Sequence, residues 1–452
     1  MIHINCPIFL DSMPRTVPVI KIKAEKNGGS FPYAIASKMG RSMQSDPKRP
    51  KLKRPIVVLK FGGTSLSDGD RIRRACYVAR ERHRSGFAAV VVVSAQAAIT
   101  DRLLEQAAEL AAQPDLRELD LLLSSGERIS AALFAICLNA AGIEAIALTG
   151  SQAGIITDNC HTHAQIVEVR PFRIAEALQE GKVVVVGGFQ GVSNQKEITT
   201  LGRGGSDITA VALAGALNAE LCEIFSDVDG VYSADPRVVA APRKLERLSF
   251  SDMEELARAG AKVLHPDAVA LARKGNVRLH ARSSFEPHAS GTIIEDLAER
   301  SQERILGIAS LREIHWCRIR GESRQLLTEM KVQSVRPLGC WGSGGGENAT
   351  WNFLVAGRDN PPLSSIFSDW SHQFAVDVLS GLCVVTLVGT ERVDSAQVIA
   401  EITSDLGRCE VELLHLESAA GKFRLVIEDR NHDKVVASLY GRLIAGGSQS
   451  EI

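Results

Sequence analysis

Lys60 is followed by Phe61, Gly62, Gly63, Thr64 and Ser65, and preceded by the apolar, mostly β-branched run Ile56-Val57-Val58-Leu59. The run reads as a buried strand. A strand that ends in a lysine, two glycines and two hydroxyls is suited to holding phosphate. The glycines let backbone N–H groups approach an anion, and Thr64 and Ser65 add donors. A helix expected from about Asp68 would turn its positive end toward the same place. The lysine precedes the glycines, so this is not the G-x-x-x-x-G-K-[ST] loop. A tight turn with a surface lysine fits these six residues equally well.

Four further clusters carry chemistry. Thr200-Leu201-Gly202-Arg203-Gly204-Gly205-Ser206-Asp207 sets one guanidinium among three glycines and ends in a carboxylate, ahead of a helix from residue 208. Arg203 offers a planar fork for a carboxylate or phosphate. Asp207 can orient a lysine or hold a metal-bound water. Alternatively, Ser206 or Asp207 only caps the helix and Arg203 is solvated. Ser124-Ser125-Gly126-Glu127-Arg128 puts Glu127 in what reads as a first helical turn, where it complements the helix dipole or, if it faces a cleft, binds an ammonium. Ser226-Asp227-Val228-Asp229-Gly230-Val231-Tyr232, continuing to Arg237, follows an apolar run; turn formers explain part of it. One tyrosine among so many polar groups also suits the wall of a base-and-ribose site. Gly260-Ala261-Lys262-Val263-Leu264-His265-Pro266 places Lys262 where it reaches the same ligand, with His265 structural.

These clusters need a scaffold. The chain has 452 residues, enough for two or three domains. Charged residues make up 23% and the net charge is −1, which gives no sign of a nucleic-acid partner. No membrane span is expected. Nine cysteines lie scattered without a C-x-x-C pair, a pattern of reduced thiols in a cytoplasmic protein. Cys160-His161-Thr162-His163 lacks a second ligand pair, so no metal site is assigned. Residues 1–54 are basic and aperiodic and read as a disordered extension, with Met43 an alternative start.

Residues 55–300 alternate between apolar runs of strand length (88–93, 143–148, 182–186, 221–225) and amphipathic stretches (71–84, 103–112, 129–141, 208–217). That alternation predicts an α/β fold, a mainly parallel sheet sandwiched by helices. Ligands of such sheets sit beyond the carboxyl ends of the strands, where the glycine-rich turns fall. From 301 to 452 the pattern becomes strand (383–388), helix (395–406), strand (411–416), strand (422–427), helix (433–444), an α+β ferredoxin-like unit. Residues 305–309 begin a more degenerate first copy. Residues 341–346 read as a flexible loop without a nucleotide role.

Taken together, K-F-G-G-T-S at 60–65, S-A-x-A-x-I-T at 94–100, S-G-E at 125–127, Q-A-G-I-x-T-D at 152–158, T-L-G-R-G-G-S-D at 200–207, D-V-D-G-V-Y-x-A-D-P-R at 227–237 and G-A-K-V-L-H-P at 260–266 resemble the amino acid kinase family, and within it the aspartate kinases. The C-terminal region resembles ACT-type regulatory domains. The resemblance implies transfer of the γ-phosphoryl of ATP, with Mg2+, to the side-chain carboxylate of L-aspartate, the first step toward lysine, threonine and methionine. It implies that Lys60 neutralises the transferring group and Asp207 positions Lys60. Arg203, Glu127, Thr100 and Ser65 would hold the amino acid. Gly62, Gly63, Thr64, Ser226, Asp227, Tyr232, Arg237, Lys262 and Val263 would line the nucleotide. A homodimer through the ACT-like region is expected, and control by lysine or threonine is doubtful. A carboxylate is already ionised at neutral pH, so such a reaction needs no general base. Three positions depart from the family pattern: Ala98 stands for a usual Gly, Asp101 for Asn and Ser226 for Thr. A kinase for another small carboxylate and a non-catalytic sensor are the alternatives.

Overall fold

The computed structural model describes residues 54–297, 304–332, 335–344, 349–357, 363–390 and 393–446. The reading of residues 1–54 as an extension therefore lies outside the described residues, apart from Arg54.

An eight-stranded sheet organises the first half. Its order is Arg247–Ser249, Thr292–Glu295, Leu279–Ser283, Leu221–Ser226, Ile56–Phe61, Ala88–Val93, Val183–Gly187 and Ala145–Leu148. Every pairing is parallel except that of Leu279–Ser283 with Thr292–Glu295. The central strands are buried on both faces, which is why they read as continuous valine runs rather than alternating ones. One face carries Val58, Val90, Val92 and Ile224 under the Gly205–Leu217 helix; the other carries Leu59, Phe61, Val91 and Phe225 under the Gly69–Arg84 and Leu116–Ala140 helices. Phe61 stacks on Phe225 with ring centroids 4.8 Å apart.

The expected strands and helices are present, with two differences that matter for the site. The helix expected over 129–141 is Leu116–Ala140. Ser124 to Arg128 therefore lie in its middle, and Glu127 owes nothing to a helix terminus. That helix has the length and hydropathy of a membrane span, but half of its apolar window is buried inside the molecule and Asp120 and Glu127 lie on its buried side. Second, the helix near residue 68 does begin there, at Gly69, but Asp68 caps it by accepting from the Arg71 N–H at 2.9 Å. A short 3-10 turn, Gly63–Leu66, intervenes. The helix end nearest Lys60 is instead that of Gly205–Leu217, which has Asp207 in its first turn.

A small four-stranded sheet, in the order Ile166–Val169, Ile155–Thr157, Gln190–Ser193, Ile198–Thr200, leads the chain back into Gly202. The second half forms a six-stranded antiparallel sheet, ordered Pro337–Ser343, Thr350–Ala356, Ile305–Arg320, Ala375–Gly389, Lys422–Glu428, His415–Ala419. The Ile305–Arg320 and Ala375–Gly389 strands are long enough to serve both halves of this sheet. The strand expected over 411–416 begins later, at His415. Trp341, Gly342 and Ser343 were expected in a loop but belong to a strand, because Trp341 stacks on His415 at 4.2 Å. Gly345 and Gly346 lie outside the described residues. The two halves share cores: Leu306, Ala309 and Val388 join the main cluster of the first half, and Ala234 and Val239 join that of the second.

Candidate active site

Four strands end at one rim. Past Ile56–Phe61 the chain enters Gly62 and Gly63; past Ala88–Val93, Ser94 and Ala95; past Val183–Gly187, Gly188 and Phe189; past Leu221–Ser226, Asp227. Backbone hydrogen bonds knit these ends together, from the N–H of Gly62 to Phe225 O, of Ser94 to Phe61 O, of Ala97 to Gly63 O and of Gly188 to Val93 O. A Cβ on Gly63 would lie 2.7 Å from the carbonyl oxygen of Ala95, so only glycine fits there.

Lys60 leaves the rim toward the Gly205–Leu217 helix, and its Nζ lies 2.6 Å from Asp207 Oδ1 with both side chains 12% exposed. An ion pair so shielded fixes the ammonium in place. The turn before that helix is made possible by Gly204 at φ 73°, where any side chain would collide with the His265 ring. His265 is thus structural, and its own side chain caps the Pro266–Gly275 helix. Arg203 sits in the same turn, exposed, with no ion pair among the described residues.

Glu127 lies under the end of Ala88–Val93. It is 3% exposed. Its Oε1 accepts from the Ala95 N–H at 3.0 Å, while its Oε2 is buried with no hydrogen-bond partner among the described residues. Burial pushes its carboxyl up to about 7, against the opposing pull of the Ala95 N–H. Gly126 lets the helix come this close, since a Cβ there would lie 2.8 Å from Ala95 Cβ. Thr100, the second residue of the Ile99–Leu110 helix, is half-buried and follows Ile99, whose side chain lies over Gly126. Ser65 is buried and turned elsewhere: its hydroxyl donates to Ser284 Oγ at 2.8 Å, and Ser284 donates to Ser226 O at 2.9 Å. That relay ties the Gly63–Leu66 turn to the end of the Leu221–Ser226 strand.

On the far side of Lys60, Tyr232 donates to Asp229 Oδ1 at 2.9 Å, and Lys244 Nζ meets Asp229 Oδ2 at 2.8 Å. Burial opposes ionisation of Asp229, but these two bonds outweigh it and hold its carboxyl below the usual range. Arg237 is turned onto Asp235 at 2.7 Å. Lys262 is exposed and close enough to Asp235 to favour its ionised form. Val263 is half-buried beside it, Thr64 and Asp227 are exposed, and Ser226 Oγ accepts from the Val228 N–H at 3.3 Å.

With this arrangement in view, comparison with known proteins is decisive. Residues 55–283 match the model of the amino acid kinase family. The chain belongs to that family. As an amino acid kinase it is 37% identical over 393 residues to an aspartokinase of Geobacillus stearothermophilus, covering 85% of this chain and 96% of that one. It is 52% identical over 240 residues to an aspartokinase of Corynebacterium glutamicum, covering 53% of this chain and only 57% of that one. Several of the curated relatives it matches are spanned over little more than half their length in this way. A crystal structure of E. coli aspartokinase III in complex with aspartate and ADP superposes with a TM-score of 0.72 at 25% identity, covering 86% of this chain and 99% of that one.

Some of what shapes this kinase site gave no signal in the sequence. Phe189, half-buried at the end of Val183–Gly187, adopts φ 65°, rare for an aromatic residue, and packs where a Gly205 side chain would be. Asp120 is fully buried and accepts from Thr200 Oγ1 at 2.5 Å and the Thr162 N–H at 3.0 Å, with His161 Nδ1 at 2.7 Å. It braces the approach to Gly202 and holds the His161 ring in place. Ala98, in place of the expected glycine, keeps a glycine-like φ of 64°.

Proposed function

We propose that the chain transfers the γ-phosphoryl group of ATP to the side-chain carboxylate of L-aspartate, giving 4-phospho-L-aspartate and ADP. The observation that carries this reading is Glu127 Oε2, a buried carboxylate oxygen without a hydrogen-bond partner among the described residues, on a helix packed against the Ile198–Thr200 strand that leads to Arg203, whose guanidinium has no ion pair among the described residues. A free amino acid has an ammonium for the first and a carboxylate for the second. An N-acylated substrate has no ammonium to pair with Glu127. The 37% identity to an aspartokinase along nearly its whole length supports aspartate in particular.

In this reading the side-chain carboxylate oxygen attacks the γ-phosphorus, an O–P bond forms, and the bond to the β-phosphate oxygen breaks. Lys60, held by Asp207, neutralises charge shared by the two anions, and the Gly63 N–H completes the cradle, with Gly62 free of a side chain beside Lys60. Thr100 lines the amino-acid side. Ser226, Asp227, Tyr232, Arg237, Lys262 and Val263 wall the nucleotide. Mg2+ would come with ATP as part of the nucleotide substrate, as in other phosphoryl-transfer enzymes. We assign catalysis to residues 55–300 and an ACT-like regulatory role to 301–452. Ala375 to Leu379 of the Ala375–Gly389 strand pair with Ile305–Arg320 alone among the described residues, and this half-free edge supports a homodimer formed through it. A reducing, cytoplasmic setting suits the eight free cysteines among the described residues.

The test is ADP release with L-aspartate, L-glutamate, N-acetylglutamate or no acceptor, with hydroxylamine trapping the acyl phosphate. Hydroxamate formed with L-aspartate alone is expected. A preference for another acceptor, or hydrolysis of ATP without hydroxamate, overturns the assignment.

A further inference from the structure

The hairpin that carries the nucleotide wall is rooted in the other half of the molecule. Its strands, Val231–Tyr232 and Lys244–Leu245, pair antiparallel. Between them, Ala234 and Val239 are buried in the cluster that holds Ile308, Val398, Ile402 and Tyr440 of the C-terminal half. At the neck stands Ser233, fully buried. Its N–H and hydroxyl both donate to Arg243 O, at 2.9 and 3.1 Å, and its carbonyl accepts from the Ile308 N–H at 2.7 Å. Tyr440, near the end of the His432–Tyr440 helix, reaches the same neck. Its phenol oxygen accepts from the Arg243 N–H at 2.9 Å and lies 3.2 Å from Ser233 Oγ.

We infer that Tyr440 is a positioning residue for the nucleotide, acting from the C-terminal half through the Ser233–Arg243 neck. Ser233 and Arg243 directly follow Tyr232 and directly precede Lys244, the two residues that share Asp229. A phenol bridging both strands of so short a hairpin fixes the spacing of Tyr232 and Lys244. Without the hydroxyl, the part-buried Arg243 N–H loses its acceptor and the buried Ser233 hydroxyl loses a neighbour, so the neck relaxes at one of its few cross-links. Among the described residues no hydrogen bond of Ser233 or Tyr440 reaches the amino-acid side of the cleft, built on Glu127 and the 200–207 turn. The effect is therefore selective between the two substrates. A structural tyrosine would weaken both together.

The inference rests on the reading of residues 226–237 as nucleotide wall. ATP binding to the unaltered whole chain is therefore measured first, by calorimetry without an acceptor. The Tyr440→Phe chain keeps the ring and loses only the hydroxyl. The expected result is ATP affinity weakened by about 3- to 10-fold, the scale set by loss of one buried hydrogen bond. KM for L-aspartate should stay within about twofold, because that side does not touch the neck. Ser233→Ala, which removes the other hydroxyl, should give a similar shift, and the double variant should fall short of the two effects combined. It also serves as the test if Tyr440→Phe fails to fold. Unchanged ATP affinity in these variants, or parallel weakening of both substrates with a lowered melting temperature, overturns the inference. An unaltered chain that binds ATP but does not phosphorylate aspartate sinks the proposed reaction and leaves this inference standing; one that binds no ATP sinks both.

Discussion

Glu127 makes the chain, and with it the proposed amino-acid site, sensitive to pH by an amount that follows from its burial. Its carboxyl has an ordinary value of 4.5 and is pushed up to about 7 by burial. The folded chain therefore holds this proton after the unfolded chain has lost it. Between pH 4.5 and 7 the native state binds more protons, so stability falls as pH rises through that window. Above pH 7 the whole cost is in force, roughly 3 kcal/mol for a gap of this size. Glu127→Gln removes the charge and keeps the shape. The variant without substrate should unfold at higher denaturant than the unaltered chain at pH 8, by up to about 3 kcal/mol, and the two should converge near pH 4.5.

A substrate ammonium at Oε2 would reverse that penalty by pairing with the ionised form. At pH 6 about nine-tenths of the substrate-free protein carries the proton, so aspartate binding should release close to one proton and be roughly tenfold weaker than at pH 8. Calorimetry in two buffers of different ionisation enthalpy reads that proton directly. In Glu127→Gln the release should vanish and kcat/KM for aspartate should fall by about a hundredfold or more, the cost of losing a buried charged partner. Binding without proton release, or a variant no more stable than its parent at pH 8, would refute the picture of a buried carboxylate awaiting a cation.

Three other outcomes follow from the geometry. Lys60→Ala should cut turnover by at least about a thousandfold while ATP still binds measurably, because the lysine acts on charge developed in transfer; near-normal turnover in a single-turnover assay removes Lys60 from the mechanism. Gly62 and Gly63 should part company. An added Cβ at Gly62 meets nothing closer than 3.6 Å, whereas at Gly63 it meets a backbone oxygen at 2.7 Å, so Gly62→Ala should leave the melting temperature nearly unchanged and Gly63→Ala should lower it and abolish activity. Equal behaviour of the two variants would contradict the packing described at the rim. Ala98→Gly should stabilise the chain by about 0.5–1 kcal/mol in urea, as relief of a left-handed alanine outweighs the flexibility gained by the unfolded chain; a loss of stability would show that the methyl is held favourably.

How far the sequence could be read depended on what kind of information each residue carries. The parallel sheet was legible because strands such as Ala88–Val93 and Val183–Gly187 are buried on both faces and leave no room for a polar side chain. The tight turn after Lys60 was legible because glycine at 63 is demanded by backbone contact, and such demands survive as letters. The Lys60–Asp207 pair joins residues far apart in the chain, and the order of the motifs, not any local pattern, brought them to one place. Glu127 was the harder case. Its letters, Ser-Gly-Glu, suggested the start of a helix, because turn formers precede it; the helix in fact runs from Leu116, and Gly126 is there to admit the neighbouring loop. Phe189 was not legible at all. Its unusual φ arises from the meeting of two chain segments and leaves no mark in an aromatic side chain. The same holds for the Ser233–Tyr440 contact between the halves of the molecule. Backbone demands are written where they act, whereas a carboxylate oxygen left without a partner in the core is visible only once its surroundings are known, which is why the environment of Glu127 is so much less apparent from sequence than the glycine turn at the rim.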